Sequence, residues 1–159
     1  QDILLVGGGY GAAPLYPLAQ GAKKLGMNTQ VFLGAGSSAG LLLVDEFAQL
    51  GCEFNVSTED ASQGFHGLVT IIVEQAIRES HFDGLYACGP TGLLSALAGI
   101  SKAHKLDCQL SWEGQMRCGM GLCGSCEVPQ ILDPELPTGW LACYDGPVFR
   151  KVWKSHPSG

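Results

Sequence analysis

Ile3-Leu4-Leu5-Val6-Gly7-Gly8-Gly9-Tyr10-Gly11-Ala12-Ala13-Pro14-Leu15 decides the architecture. A four-residue apolar run bounded by glycine reads as a buried strand, and the small residues after it lead into an amphipathic stretch that reads as a helix. Strand, tight turn and helix in that order are the first half of a βα unit. Small residues at such a turn let the backbone approach a pyrophosphate while the helix amides face its charge. The spacing is not G-x-G-x-x-G, so the turn reads either as a bare βα corner or as a phosphate loop.

Working outward, the same alternation continues to about residue 110. Strands are expected at Ile3 to Val6, Thr29 to Leu33, Cys52 to Val56, Gly84 to Cys88 and Cys108 to Ser111. Helices are expected over about 12–25, 39–50, 67–80 and 91–105. Alternating strands and helices of this length predict an α/β fold, a doubly wound parallel five-stranded sheet, with its ligand site at the carboxyl ends of the strands. A second glycine-containing strand end, Ala87-Cys88-Gly89-Pro90-Thr91-Gly92, belongs on the same edge as the first, and two such loops on one crevice favour a nucleotide. Gly34-Ala35-Gly36-Ser37-Ser38, where an adenosine ribose would be held, contains no Lys or Arg for a 2′-phosphate, which favours NAD over NADP. Thr58-Glu59-Asp60 supplies acidic groups that either accept ribose hydroxyls or cap the following turn.

Beyond residue 111 the periodicity gives way to Cys, Gly, Pro and Trp. Two domains are therefore expected, 1–110 for the nucleotide and 111–159 for a small loop-rich module. Cys118, Cys123 and Cys126 form a C-x4-C-x2-C run, and Cys143 follows after sixteen residues. This is the plant-type ferredoxin spacing for a 2Fe–2S cluster, and the interleaved Gly119, Gly121 and Gly124 allow a backbone to wrap around it. Four cysteines also suit zinc, although zinc ribbons usually pair two C-x2-C knuckles and only one is present. Cys52 and Cys108, at strand positions, read as small core hydrophobes. Cys88, at a strand's carboxyl end, is open to either reading.

Composition removes other classes. The 9 Lys and Arg against 15 Asp and Glu give a net charge of -6, with no basic cluster to neutralise a row of phosphates, so no nucleic acid is expected. No apolar run approaches the ~20 residues that span a bilayer, so no membrane segment is expected. Seven cysteines, an odd number crowded toward one end, argue for a metal site in a reducing compartment, the cytoplasm. His66, His81, His104 and His156 pair with no nucleophile in the sequence and read as surface residues. Gln1-Asp2 leads straight into the first strand without a targeting signal, so the chain is expected to begin inside a fold.

The glycine loop Gly7 to Leu15, Val31-Phe32-Leu33-Gly34, Thr58-Glu59-Asp60, Tyr86-Ala87-Cys88-Gly89-Pro90, the cysteine run and Cys143-Tyr144-Asp145-Gly146-Pro147-Val148-Phe149 together resemble the electron-transfer subunits of class 1B dihydroorotate dehydrogenases, in the ferredoxin–NADP⁺ reductase superfamily. The resemblance spans nearly the whole chain. It implies an NAD(H)-linked oxidoreductase component that passes electrons between NAD(H), FAD, a 2Fe–2S cluster and an FMN-containing catalytic dehydrogenase subunit, as a hetero-oligomer in pyrimidine biosynthesis. It also implies Cys118, Cys123, Cys126 and Cys143 as cluster ligands. Gly7, Gly8, Gly9, Gly11, Pro14, Cys88, Gly89 and Pro90 would line the nucleotide crevice, with Cys88 near the nicotinamide. The FAD-binding barrel of that family has no counterpart in this sequence, so the isolated chain is expected not to turn over substrate. Trp112, Gly114-Gln115 and the stretch Leu132 to Trp140 depart from the family pattern. Diaphorase-type gamma subunits of hydrogenases and the small subunit of bifurcating NADH-dependent ferredoxin–NADP⁺ oxidoreductase share the architecture, and a zinc-stabilised binding module is the rival from another class.

Overall fold

The computed structural model describes residues 1–132 and 137–151. Asp133 to Leu136 of the unfamiliar stretch and His156 lie outside the described residues. The chain forms β1 (Asp2–Gly8), α1 (Ala12–Lys24), β2 (Asn28–Ala35), α2 (Val44–Gln49), β3 (Glu53–Thr58), β4 (Phe65–His66), α3 (Val69–Glu79), β5 (Gly84–Gly89), α4 (Thr91–His104), β6 (Cys108–Trp112) and β7 (Val148–Lys151). The strands make one sheet in the order β4-β3-β2-β1-β5-β6-β7. All neighbours are parallel except β6 and β7, which run antiparallel.

All five expected strands are present, but the sheet has seven, and the expected count is corrected accordingly. β4 escapes periodicity because it is two residues long, pairing Ser57 with Phe65 and Thr58 with His66. β7 lies beyond the cysteines, where Val148-Phe149-Arg150-Lys151 pairs with β6 and turns only Phe149 and Lys151 inward. The helix expected over 39–50 is also shorter than read. A 3₁₀ turn at Ser38–Gly40 gives way to an extended Leu41, and Leu43 takes a left-handed φ of 60° before α2 begins. Leu41, Leu42 and Leu43 pack as an apolar strap against the α1 face of the core instead of winding into a helix.

Alternation along β1 sorts the two cores, as strand geometry requires. Ile3 and Leu5 face Ala12, Leu15 and Ala19 of α1 and Phe47 of α2. Leu4 and Val6 face Val69 and Val73 of α3 and Leu94 and Leu97 of α4. Leu94 and Leu97 are fully buried, each stabilising the fold by about 1.5–3 kcal/mol through its removal from water. Cys126, Val128, Leu132, Ala142 and Phe149 join this second core, so the cysteine-rich segment packs against the α4 side of the sheet through shared side chains.

Candidate functional site

Strand order reverses between β1 and β5, and a crevice of about 610 Å³ opens there at the carboxyl ends of the strands. Gly8 at the end of β1 and Gly9 after it, Gly34 and Ala35 at the end of β2 and Gly36 after it, Ser57 and Glu59 of β3 and its continuation, and Pro90 after β5 line it. Leu42, Leu68, Val69 and Leu93 supply apolar walls. No Lys or Arg is among the lining residues.

The expected nucleotide residues divide into two groups. Gly8, Gly9 and Pro90 face the crevice, whereas Gly7, Gly11, Pro14, Cys88 and Gly89 do not line it. Gly11 is required by close approach, since a Cβ there would strike the carbonyl of Cys88. That contact seats the start of α1 against the end of β5 and holds both loops on one edge. Cys88 is buried in the α1-side core, and burial pushes its thiol up, with a hydrogen bond from the Ser111 hydroxyl opposing. Pro14 is exposed in the first turn of α1.

Thr58, Glu59 and Asp60 also part ways. Thr58 Oγ1 donates to the Gln63 carbonyl and accepts from the Gln63 amide, and Asp60 Oδ1 accepts from the Ser62 amide at 2.9 Å and the Ser62 hydroxyl at 2.6 Å. These bonds hold the Asp60 carboxyl below its usual range and tie up both side chains in the turn. Backbone bonds from Glu59 N to Ala35 O and from Asp60 N to Gly36 O stitch the β2 and β3 loops together. Glu59 alone of the three lines the crevice. Sequence reasoning missed Ser57, the residue before them: it is buried, lines the crevice, and its hydroxyl has no hydrogen-bond partner.

Residues 113–147, which leave the sheet at the carboxyl end of β6 and return at β7, carry no helix or strand among the described residues, only one bridge between Glu127 and Leu141. Here the four expected cysteines come together. Cys126 is buried, Cys118 and Cys143 are half-buried, and Cys123 is exposed. Cys143 Sγ accepts from the Gly121 amide at 3.3 Å, and Cys123 Sγ lies 3.1 Å from the Ser125 hydroxyl. Gly119 and Gly124 take φ of 67° and 70°, the left-handed turns that fold the loop back over the sulfurs. Asp145 braces the returning segment by accepting from the Leu141 amide at 2.7 Å, and Trp140 Nε1 donates to the Gly146 carbonyl at 2.9 Å.

The electrostatics record the same convergence. Ser125 chiefly, then backbone amides and Cys118, lower the Cys123 thiol to about 6. Cys126 chiefly, with burial and the charge of Cys118, raises the Cys143 thiol. Contacts thus run in pairs, Cys123 with Cys118 and Cys143 with Cys126. Among the described residues no three His, Cys, Asp or Glu side chains close on a single metal-ion position. Four thiols arranged as two pairs are a donor set that would suit a 2Fe–2S unit, so the residues present fit that group.

The expected core cysteines are buried as read, Cys52 and Cys108 included. Of the histidines, His66 and His81 are exposed, and His104 lies beside Glu74 at 3.6 Å. Trp112 and Gly114 explain each other: the Trp112 ring lies over Gly114, where any Cβ would strike it, and its Nε1 donates to Thr91 Oγ1 at 3.2 Å. No helix among the described residues is long and apolar enough to cross a membrane.

Residues 113–152 match the family described as the iron-sulfur cluster binding domain of dihydroorotate dehydrogenase B. A protein of Methanopyrus kandleri named probable dihydroorotate dehydrogenase B (NAD(+)), electron transfer subunit, is 37% identical over 92% of this chain and 53% of its own length. The Bacillus caldolyticus subunit of the same name is 43% identical over 92% of this chain and 54% of its own. The chain thus spans about half the length of the curated relatives it matches. Among solved structures, an NADH-dependent reduced ferredoxin–NADP oxidoreductase superposes with a TM-score of 0.76 at 35% identity, covering 94% of this chain and 52% of that one. The C-terminal domain of a Pyrococcus furiosus hydrogenase, at 14% identity and a TM-score of 0.57, shares the fold.

Proposed function

Taking as premise the homology of this chain to the electron transfer subunits of dihydroorotate dehydrogenase B, we propose that it carries electrons between NAD(H) and a catalytic partner through a 2Fe–2S cluster. The observation that supports this most is the gathering of Cys118, Cys123, Cys126 and Cys143 in one loop packed on the sheet that bears the crevice. In this reading residues 1–110 form a doubly wound nucleotide domain and 111–159 the cluster module. Gly8, Gly9 and Pro90 touch the dinucleotide directly, while Gly7, Gly11, Pro14, Cys88 and Gly89 shape the loops that present them.

The cluster, when bound, supplies one-electron chemistry that a nicotinamide cannot. The protein's part is to hold four thiolates in place, donate the Gly121 amide to Cys143, and keep one side of the loop open. Hydride transfer to a one-electron centre requires an intervening carrier that accepts two electrons and releases them singly, which in the homologous family is FAD. Met116, Met120, Leu122 and Tyr144 form an exposed apolar rim beside the cysteines, suited to an FMN-containing catalytic subunit in a cytoplasmic hetero-oligomer. Trp140, in contrast, is half-buried, with its Nε1 held by the Gly146 carbonyl.

Anaerobic reconstitution with iron and sulfide tests the proposal. A red-brown chain whose visible absorption bleaches with dithionite, but not with NADH unless a flavoprotein is added, is the expected result. A colourless, zinc-loaded chain would sink it. The TM-score of 0.76 also favours a second reading, the corresponding subunit of an NADH-dependent ferredoxin–NADP oxidoreductase. The identity of the co-purifying subunit separates the two.

A further inference from the structure

The geometry points to Ser57 as the residue that reads the base of the dinucleotide, with its hydroxyl hydrogen-bonded to the edge of the adenine ring. This rests on the nucleotide reading of the crevice given above. Ser57 is 1% exposed, yet its Oγ has no hydrogen-bond partner. A buried hydroxyl without a partner costs on the order of 1–3 kcal/mol, and such groups persist where a ligand completes them. Its surroundings show how it is aimed. Ser57 pairs in register with Gly34, and a Cβ built on Gly34 would stand 3.5 Å from Ser57 Oγ and collide with Val69. The hydroxyl therefore lies on the α3 side of the sheet, beside the space that a side chain at position 34 would fill, and is shut off from bulk water.

The remainder of the crevice assigns the parts of the ligand by their chemistry. The crevice that Ser57 lines also has Ala39, Leu42, Leu68 and Val69 among its walls, apolar surface suited to a flat ring with a polar edge. A charged phosphate or a hydroxyl-rich ribose would be poorly solvated there. Glu59, the carboxylate left free by the turn, stands at the exposed rim, where it can accept ribose hydroxyls and would repel a phosphate. The Gly8 and Gly9 backbone lies toward β1, where a pyrophosphate would reach the start of α1. A serine hydroxyl both donates and accepts, so it can pair with a ring nitrogen or with the exocyclic amine.

The test uses the full chain with ADP-ribose and with ribose 5-phosphate, which lacks the base. Binding is followed by chemical-shift titration, and thermal melts are recorded alongside. Ser57→Ala is expected to weaken ADP-ribose roughly three- to tenfold, the value of one neutral hydrogen bond, while leaving ribose 5-phosphate unchanged. Its melting temperature is expected to stay level or rise, because the unpartnered hydroxyl is gone. That combination separates base reading from a structural role. Equal ADP-ribose affinity in Ser57→Ala overturns the assignment but leaves the nucleotide crevice intact. A lowered melting temperature with both ligands weakened alike overturns it in favour of packing. Failure of the wild-type chain to bind ADP-ribose overturns the nucleotide reading and this assignment with it.

Discussion

The crevice and the cluster loop both abound in glycine, for opposite reasons. At the crevice, glycine answers crowding: a Cβ on Gly11 or Gly34 would meet the Cys88 carbonyl or Val69. In the cluster loop, Gly119 and Gly124 have nothing within 4 Å of a built Cβ, and only their left-handed φ demands glycine. One region is shaped by what packs against it and the other by what it wraps around. The first is specified by its own chain, whereas the second is completed by the group it holds.

The largest effect is expected where the two regions share a core. Leu97→Ala should cost about 2–5 kcal/mol in denaturant unfolding and lower both nucleotide binding and cluster retention. Retention of either at wild-type level would show that the regions are more independent than the shared core implies. Gly11→Ala should cost about 1–3 kcal/mol by overpacking and weaken ADP-ribose binding while sparing reconstitution. Gly119→Ala, at φ 67°, should cost about 1–2 kcal/mol in the loop and lower cluster occupancy with no change in ADP-ribose affinity. If these two variants behaved alike, the contrast between crowding and conformation would fail.

The smallest effect concerns thiol reactivity in the cluster-free chain. With its thiol lowered to about 6, Cys123 is mostly thiolate at pH 7 and should alkylate first, its rate falling as pH drops through that value. Ser125→Ala removes the chief cause and should move this midpoint upward. Cys88, pushed up by burial, should stay unmodified at pH 7. Peptide mapping after timed iodoacetamide treatment reads all three.

Runs such as Ile3-Leu4-Leu5-Val6 made the central strands legible, because a strand buried on both faces must be apolar throughout. β4 has too few residues to show a period, and β7 was hidden because its pairing depends on a partner far back in the chain. The grouping of Cys118, Cys123, Cys126 and Cys143 was legible because their spacing, interleaved with glycine, follows neither a strand nor a helix period. Thr58-Glu59-Asp60 could not be resolved from residue types alone. Only the bonds from Ser62 and Gln63 show that two of the three are committed to a turn. Ser57 stayed invisible for a similar reason, since a serine in a strand announces neither its burial nor its lack of a partner.

The antiparallel register of β6 and β7 has an engineering consequence. Ser111 pairs with Val148, and Trp112 N donates to the Pro147 carbonyl, so the chain leaves and re-enters the sheet at adjacent points. The intervening segment is a cassette with neighbouring ends. Replacing it by a tight turn would join β6 to β7 as a simple hairpin, and transplanting it would require from a recipient only a sheet edge and an apolar patch to receive Val128 and Leu132.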